Sequence, residues 1–508
     1  MTHCIPARYS LAILLMGVVV HLFTLRSNFS IIVVSMVKHP PQNIGNSSGG
    51  IECYVNTSYG KYSEVDQYMA AMLYNETSVV WKENSTEHKS QDTFSWDPIT
   101  QGRIIGAYAY GHVFSQVMGG FLEARFGGKK VLGLSILLSS VLTLLTPAAA
   151  FAGEWWLFAV RVVVGFVQGV VFPSLFGILS RWAPSVERGR LLTIATLGET
   201  LGILVGFSIT AHLITQFGWA IALYITGAVG LAFCCLWCLL AFDSPAKHPR
   251  ISETEKAYIE SNLENTNEER NIPWLKMLST PHLWVLVYIH CTDSWGLDIM
   301  MTSLPLYIDT IMNFNIDTNG GVSALPYLTI MASRVLSSLI IDPVINQSRF
   351  QKVNIRKVCI LVLVGAAACL VAVGHVGCDS TTAIVLLCLG MAFRGVMVPG
   401  FYPSYTDLTL GYSGVAFGVS NSVANCTGFL VPLVVGVLTD KNQTVAAWQK
   451  VFYISEAIFV SGSVMALGFL RTDPVSWAKD PDEDKLPQPA RDSRVYNRRL
   501  TSAVEDTA

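Results

Sequence analysis

The stretch "AVRVVVGFVQGVVFPS", residues 159–174, is apolar almost throughout, yet it holds Arg161 near its start and Gln168 seven residues later. With its flanks it forms a run over 155–179, close to the ~20 residues that carry a helix across ~30 Å of hydrocarbon. An arginine at the centre of such a helix costs about 2.5 to 3.5 kcal/mol on insertion scales, so it needs a partner or a use. At helical spacing Arg161, Gly165, Gln168 and Gly169 fall on one face, and the two glycines leave that face narrow enough for another helix to come close. Two readings follow. Either Arg161 is structural, capping carbonyls or pairing with a carboxylate, or it meets an anionic ligand with a planar fork suited to carboxylate or phosphate.

The rest of the 508-residue chain resembles this stretch. It is 51% hydrophobic and 14% charged, with a mean hydropathy of +0.45, outside the usual soluble range. Twelve apolar spans are expected, near 10–37, 99–122, 131–152, 155–179, 191–214, 219–241, 282–311, 321–341, 358–376, 382–403, 414–438 and 451–471. The first is too long for a signal peptide and carries Arg26, so it reads as a retained helix. The fold class expected is an all-α membrane protein of twelve transmembrane helices.

Charge placement sets the expected topology. Arg125, Lys129 and Lys130 lie between spans 2 and 3, Arg181, Arg188 and Arg190 between 4 and 5, and Arg349, Lys352, Arg356 and Lys357 between 8 and 9. The positive-inside rule makes these loops and both chain ends cytoplasmic. Loop 38–97 then lies on the opposite side, where its N-x-S/T sequons at Asn46, Asn56, Asn75 and Asn84 can be glycosylated, as can Asn442. Asn346 falls inside, and the sequons at Asn28 and Asn425 lie within spans. A net charge of −2 gives no basic field for nucleic acid. Most of the eleven cysteines sit within spans as small apolar residues; Cys53 and Cys378 share the outer side and can pair or stay apart. No cysteine pattern suggests a metal, and neither a phosphate loop nor a nucleophile triad appears, so enzymatic chemistry and a cofactor are not expected.

The chain divides six spans from six. The polar segment "DSPAKHPRISETEKAYIESNLENTNEER" (243–270) separates them and reads as a cytosolic linker with a short amphipathic helix. The domains expected are an N-terminal half, 1–242, a linker, 243–281, a C-terminal half, 282–471, and a polar tail, 472–508. "GGKKVLG" (127–133) and "NIRKVCI" (354–360) open spans 3 and 9, while "VFPS" and "FYPS" close spans 4 and 10, both pairs offset by about 230 residues. Parallel six-helix repeats suit a transporter that binds its cargo near midplane between two rocking halves.

Longer motifs sharpen this. "GGFLEARFGGKKVL" (119–132) resembles the loop 2–3 signature of the major facilitator superfamily, with Gly120, Arg125, Gly127 and Lys129 in place and its acid, Glu123, one position early. "FSWDPITQG" (94–102), "RWAPSVERGRLL" (181–192), "SALPYL" (323–328), "GYSGVAFGVSN" (411–421) and "WQKVFYI" (448–454) resemble the anion transporter family that contains sialin, the vesicular glutamate transporters and the sodium-phosphate cotransporters. The resemblance runs from about Tyr9 to Arg471. It implies the major facilitator fold and carriage of small anions. It places Arg161 at a span-4 arginine implicated in anion binding, Arg26 of "LRSNFS" second to it, and Asn421 at a position able to bond substrate or merely join helices.

The departures matter as much. Gln168 stands where sialin and the glutamate transporters carry a glutamate tied to proton coupling, and an amide cannot titrate. Ile105 and Asp293 replace a histidine and an arginine of the glutamate transporters, which argues against vesicular glutamate loading. Glu199 in "LGETLG", roughly 12 Å inside span 5, is the expected coupling site, with a salt bridge to an arginine as its alternative; Asp293, Asp298 and Glu456 are further candidates. Arg394 is expected to pair with Asp407 or a neighbouring carboxylate, and Arg26 and Arg394 are taken as the remaining deep cations. The expectation is a symporter of organic or inorganic anions that works as a monomer in a plasma, lysosomal or vesicular membrane, with Na⁺ favoured over H⁺ as coupling ion. The alternatives are a sialin-like proton symporter of acidic sugars or acidic amino acids and, in another class, a non-transporting receptor or scaffold.

Overall fold

The computed structural model describes residues 6–37, 93–184, 187–262, 273–312, 314–346, 351–377, 379–409, 412–440 and 443–478. Cys53, Cys378 and the sequons at Asn46, Asn56, Asn75, Asn84 and Asn442 lie outside the described residues, as does most of the tail. Among the described residues there is no strand, only an isolated bridge between Val37 and Phe94. Backbone groups in hydrocarbon must be satisfied within their own segment, and a helix does this for an apolar run of any sequence.

Twelve long helices are present among the described residues. They are α1 (Ala7–Met36), α2 (Pro98–Phe126), α3 (Gly128–Ala152), α4 (Glu154–Trp182), α5 (Arg190–Phe217) and α6 (Trp219–Leu240), then α7 (Pro281–Asp298), α8 (Ile316–Asn346), α9 (Lys352–His375), α10 (Ser380–Thr409), α11 (Ser413–Thr439) and α12 (Val445–Phe469). Ten are long and apolar enough to cross a membrane by length and composition; α2 and α7 are more polar. Asp97 caps α2 by accepting from the Thr100 N–H at 3.2 Å, with Pro98 at the first helical position. Gly153 and Gly218, at φ 135° and 89°, make one-residue turns into α4 and α6.

The helices are less regular than the apolar runs suggest. α4 breaks at Val170 and α11 around Asn425 and Cys426. α7 passes into a π-helical turn, Ile299–Ser303, before a last segment, Leu304–Thr310. α10 runs on past the expected span to Thr409 through Pro399 and Pro403.

The two halves repeat one set of pairings: α1 with α5, α2 with α4 and α3 with α6 recur as α7 with α11, α8 with α10 and α9 with α12. The halves meet along α2 with α11 and α5 with α8. At the Pro98 end of the bundle a Cβ on Gly436 would come 2.7 Å from the Pro98 carbonyl, and His212 Nδ1 stands 3.7 Å from Asp317 Oδ1. At the opposite, Gly127 end the halves touch through the rings of Phe176 and Phe417, 6.4 Å apart.

The loop signature holds that opposite end together. Gly127 turns the chain at φ 85°, Glu123 pairs with Arg181, and the Lys129 N–H donates to Asp243 Oδ1 at 2.7 Å. Asp243 serves as the acid at the start of α3, so Glu123 is free to hold α4 instead. A Cβ on Gly120 would meet nothing within 4 Å among the described residues, and the Arg125 guanidinium lies 5.8 Å from the Phe126 ring. The linker helix, Glu253–Asn262, docks on the N-terminal half, where Arg8 pairs with both Glu187 (2.7 Å) and Glu255 (3.0 Å).

Candidate functional site

The expected face of α4 is real: Arg161, Gly165, Gln168 and Gly169 are all buried. The helix that approaches it is α2. A Cβ on Gly165 would strike the Tyr108 carbonyl, and one on Gly169 would strike the Ser115 hydroxyl, so only glycine allows the crossing. This contact delivers Tyr108 and His112 of α2 to the same place.

Arg161 is 4% exposed. One of its N–H groups reaches the Leu25 carbonyl of α1 at 3.4 Å. Its guanidinium carbon lies 3.8 Å from the centroid of Phe29 and 5.5 Å from that of Tyr108. Arg26 stands 5.5 Å from the same tyrosine ring, so the two cations share it. No carboxylate pairs with Arg161 among the described residues. On this α2–α4 crossing, Arg161 Nε, both amide atoms of Gln168, Tyr108 OH and His112 Nε2 are buried with no hydrogen-bond partner among the described residues. Each such group costs about 1 to 3 kcal/mol when unmatched. Together they leave several buried polar groups unsatisfied along this crossing.

The other deep arginines are neutralised. Arg26 Nη2 donates to Asp298 Oδ1 at 2.5 Å, across the boundary between the halves. Arg394 pairs with Asp293 of α7 through Nε, 2.7 Å from Oδ1, and Nη2, 2.9 Å from Oδ2. Of the two partners expected for Arg394, Asp407 or a neighbouring carboxylate, the structure gives the second, because Asp407 is engaged by Lys352 at 2.5 Å and Arg356 at 2.6 Å. Arg26 and Arg394 are also not the only other deep cations: Arg356, expected in a loop, is buried at the start of α9, and Arg334 of α8 lies 3.8 Å from Glu199. The Glu199 pair also joins the halves.

Asn421 is half-buried on α11, next to Ser422, whose hydroxyl donates to Gln116 Oε1 of α2 at 3.2 Å. A second polar group escaped sequence reasoning. His290 Nδ1 lies 2.9 Å from Ser420 Oγ, which in turn contacts Tyr405 OH at 2.5 Å. The lone polar residues of "VYIHCTDSW" were the signal for it. No group of three or more potential metal ligands occurs among the described residues.

The bundle resembles solved transporter structures in overall shape. A D-xylose–proton symporter matches with a TM-score of 0.64 at 13% identity, covering 92% of this chain and 98% of that one. The xylose transporter of E. coli in its inward-open conformation matches at 0.62 and 12%, covering 91% and 95%. In sequence, sialin from Homo sapiens is 33% identical over 477 residues, 94% of this chain and 91% of sialin. Vesicular glutamate transporter 2 from Homo sapiens is 31% identical over 412 residues, 79% and 70% of the two chains. The profile of the Major Facilitator Superfamily matches residues 68–432. With two pseudo-repeated six-helix halves and this likeness over nearly its whole length, the chain is a multi-pass membrane transporter of the major facilitator superfamily and belongs to the family of sialin and the vesicular glutamate transporters.

Proposed function

We propose that this transporter carries a small organic or inorganic anion by alternating access, driven by a cation gradient, with Arg161 as its main anion contact. The observation that carries the reading is that Arg161 is buried without a carboxylate while Arg26, Arg334, Arg356 and Arg394 each have one. A buried, uncompensated guanidinium is costly, and a carboxylate or phosphate that enters beside it removes that cost through paired, charge-assisted hydrogen bonds. Tyr108 and Gln168 are neutral donors and acceptors suited to the rest of the cargo. Arg26, and Asn421 near the boundary, complete the proposed contacts.

Gln168 removes a titratable group from the expected coupling position, which favours Na⁺. Glu199, placed between the halves beside Arg334, and Asp293 are coupling candidates. The sialin-like alternative, proton symport of an acidic sugar or acidic amino acid, draws on the same buried carboxylates. The chain ends are proposed to be cytoplasmic, the working form a monomer, and the compartment the plasma membrane or a lysosomal or vesicular membrane. Uptake of labelled phosphate and of sialic acid into cells or proteoliposomes decides among these, measured with Na⁺ removed and then with an imposed proton gradient. Uptake that needs Na⁺ supports the favoured reading; uptake that follows only the proton gradient selects the alternative. Arg161→Ala protein that reaches the membrane and carries anions as the parent does would falsify the assignment of Arg161.

A further inference from the structure

Asp298 closes the regular part of α7 and is 1% exposed. Its Oδ1 accepts from Arg26 of α1 at 2.5 Å and its Oδ2 from the Thr427 hydroxyl of α11 at 2.7 Å. The π-helical turn starts at the next residue, and such turns are concentrated at functional sites. One helical turn beyond Arg26, the Ser30 hydroxyl donates to the Met301 carbonyl inside that turn at 2.9 Å. α1 therefore grips α7 at two successive points, a carboxylate and an irregular piece of backbone, and both grips cross the boundary between the halves.

Resting on the anion reading above, we propose that Asp298 is the site of the driving cation, and that its carboxylate stands in for the transported anion at Arg26 whenever the cargo is absent. The argument is one of charge balance. Arg26 and Arg161 flank the Tyr108 ring at 5.5 Å each, so Arg26 is placed to share an anion with Arg161, but Asp298 occupies it. An anion arriving alone finds Arg26 taken. A cation arriving alone neutralises Asp298 and leaves Arg26 buried and uncompensated, which is strongly unfavourable. Cation and anion together satisfy both residues, and that requirement for both or neither is symport. Releasing the Arg26–Asp298 pair also frees α1 from α7, which ties occupancy to movement of the halves. The other ionisable groups that act on Asp298 are Asp293 on its own helix, Arg394 from α10 and Tyr327 from α8. Asp293 and Arg394 neutralise each other, so Arg26 holds the unbalanced charge that faces Asp298. Glu199 is the weaker choice because its arginine is 3.8 Å away and its side chain is 19% exposed.

The test uses the full chain in proteoliposomes, with spin labels at His212→Cys and Asp317→Cys, across the halves at the Pro98 end, on a background whose reactive cysteines are serine. In the absence of any anion, Asp298→Asn is expected to widen the label distance relative to the parent. The parent should widen on acidification if the cation is H⁺, or on addition of Na⁺ if it is Na⁺, with inorganic phosphate or sialic acid present. Asp298→Asn should have lost that response, and Asp298→Glu should retain it. Thr427→Val, a milder change that removes one hydroxyl donor, should shift the midpoint of the cation response about tenfold. In uptake, Asp298→Asn should let the anion equilibrate but not accumulate when a cation gradient is imposed. Equal cation responses in parent and Asp298→Asn, or gradient-driven accumulation by Asp298→Asn, overturns the proposal. A label distance that widens in Asp298→Asn, in a parent that carries no anion, supports the cation lock and rejects the anion reading instead.

Discussion

Arg161 on α4 and Arg394 on α10 lie on matching helices of the two halves, within one helical turn of the same distance from Pro173 and Pro403, and their surroundings are opposite. Arg394 is closed by a two-point ion pair with Asp293, while Arg161 has a backbone carbonyl and two aromatic faces. Both pay the desolvation of a guanidinium, but only one recovers it within the protein. The difference teaches that depth alone does not mark a binding residue. Arg394 is satisfied inside the protein, whereas Arg161 keeps its charge uncompensated among the described residues, which is the ground on which it is proposed as the anion contact.

The comparison breaks most visibly at Arg161. Arg161→Ala is expected to lower anion uptake about 100-fold or more, since charge-assisted hydrogen bonds are worth about 1.5 to 3 kcal/mol each. Arg161→Lys should fall between, keeping the charge and losing the fork. The measurement is uptake normalised to protein at the membrane, and near-parental uptake by Arg161→Ala removes the contrast. Arg394 should respond in stability instead. Arg394→Ala leaves Asp293 buried and unpaired, at about 3 to 5 kcal/mol, which a lowered melting temperature in detergent reports. Arg394→Leu combined with Asp293→Leu should recover most of that loss; if it melts as low as the single variant, the pair is more than charge compensation.

Smaller changes sharpen the contrast. Gln168→Glu puts a titratable group on the same face as Arg161, so the dependence of uptake on pH should gain a transition that the parent lacks. An unaltered profile would show that this face does not govern transport. The smallest effect belongs to a half-buried counterpart of these pairs outside the membrane spans, Arg8 with Glu187. The hydrogen bond from Arg8 holds the Glu187 carboxyl below the usual glutamate range. Its contribution to linker docking is therefore complete above the unfolded value, about pH 4.3, and is lost as pH falls through the lower folded value. Solvent screening limits it to about 1 kcal/mol or less. Hydrogen exchange of helix Glu253–Asn262 in Glu187→Gln should show a modest loss of protection, and a large one would mean that the linker depends on this contact alone.

The architecture was legible because apolar runs, linker charge and the repeated "VFPS" and "FYPS" ends each state a membrane-level constraint in local sequence. The helical period also placed Arg161, Gly165, Gln168 and Gly169 on one face. What it could not supply was the neighbour that the face would meet. Tyr108 reaches Arg161 through a crossing whose partner helix no spacing names, and Asp293 is 101 residues from Arg394. Asp407 was the nearer choice along the chain and the wrong one in space, because Lys352 and Arg356 stand at its end of the bundle. Arg334 passed unnoticed inside an ordinary apolar run, and Asp243 took over the role of an acid that seemed misplaced in its motif.

The glycine crossing of α2 over α4 has a mechanical consequence. With backbone against backbone at Gly165 and Gly169, no layer of side chains lies between the two helices to shear, so they turn as one piece when the halves rock. Tyr108 and Arg161 ride on that piece and keep their spacing throughout the cycle. Arg26 and Asp298 sit astride the joint and cannot. On the proposed reading, cargo at Arg161 would travel with the N-terminal half, and the timing of its release would be set at the seam between α1 and α7.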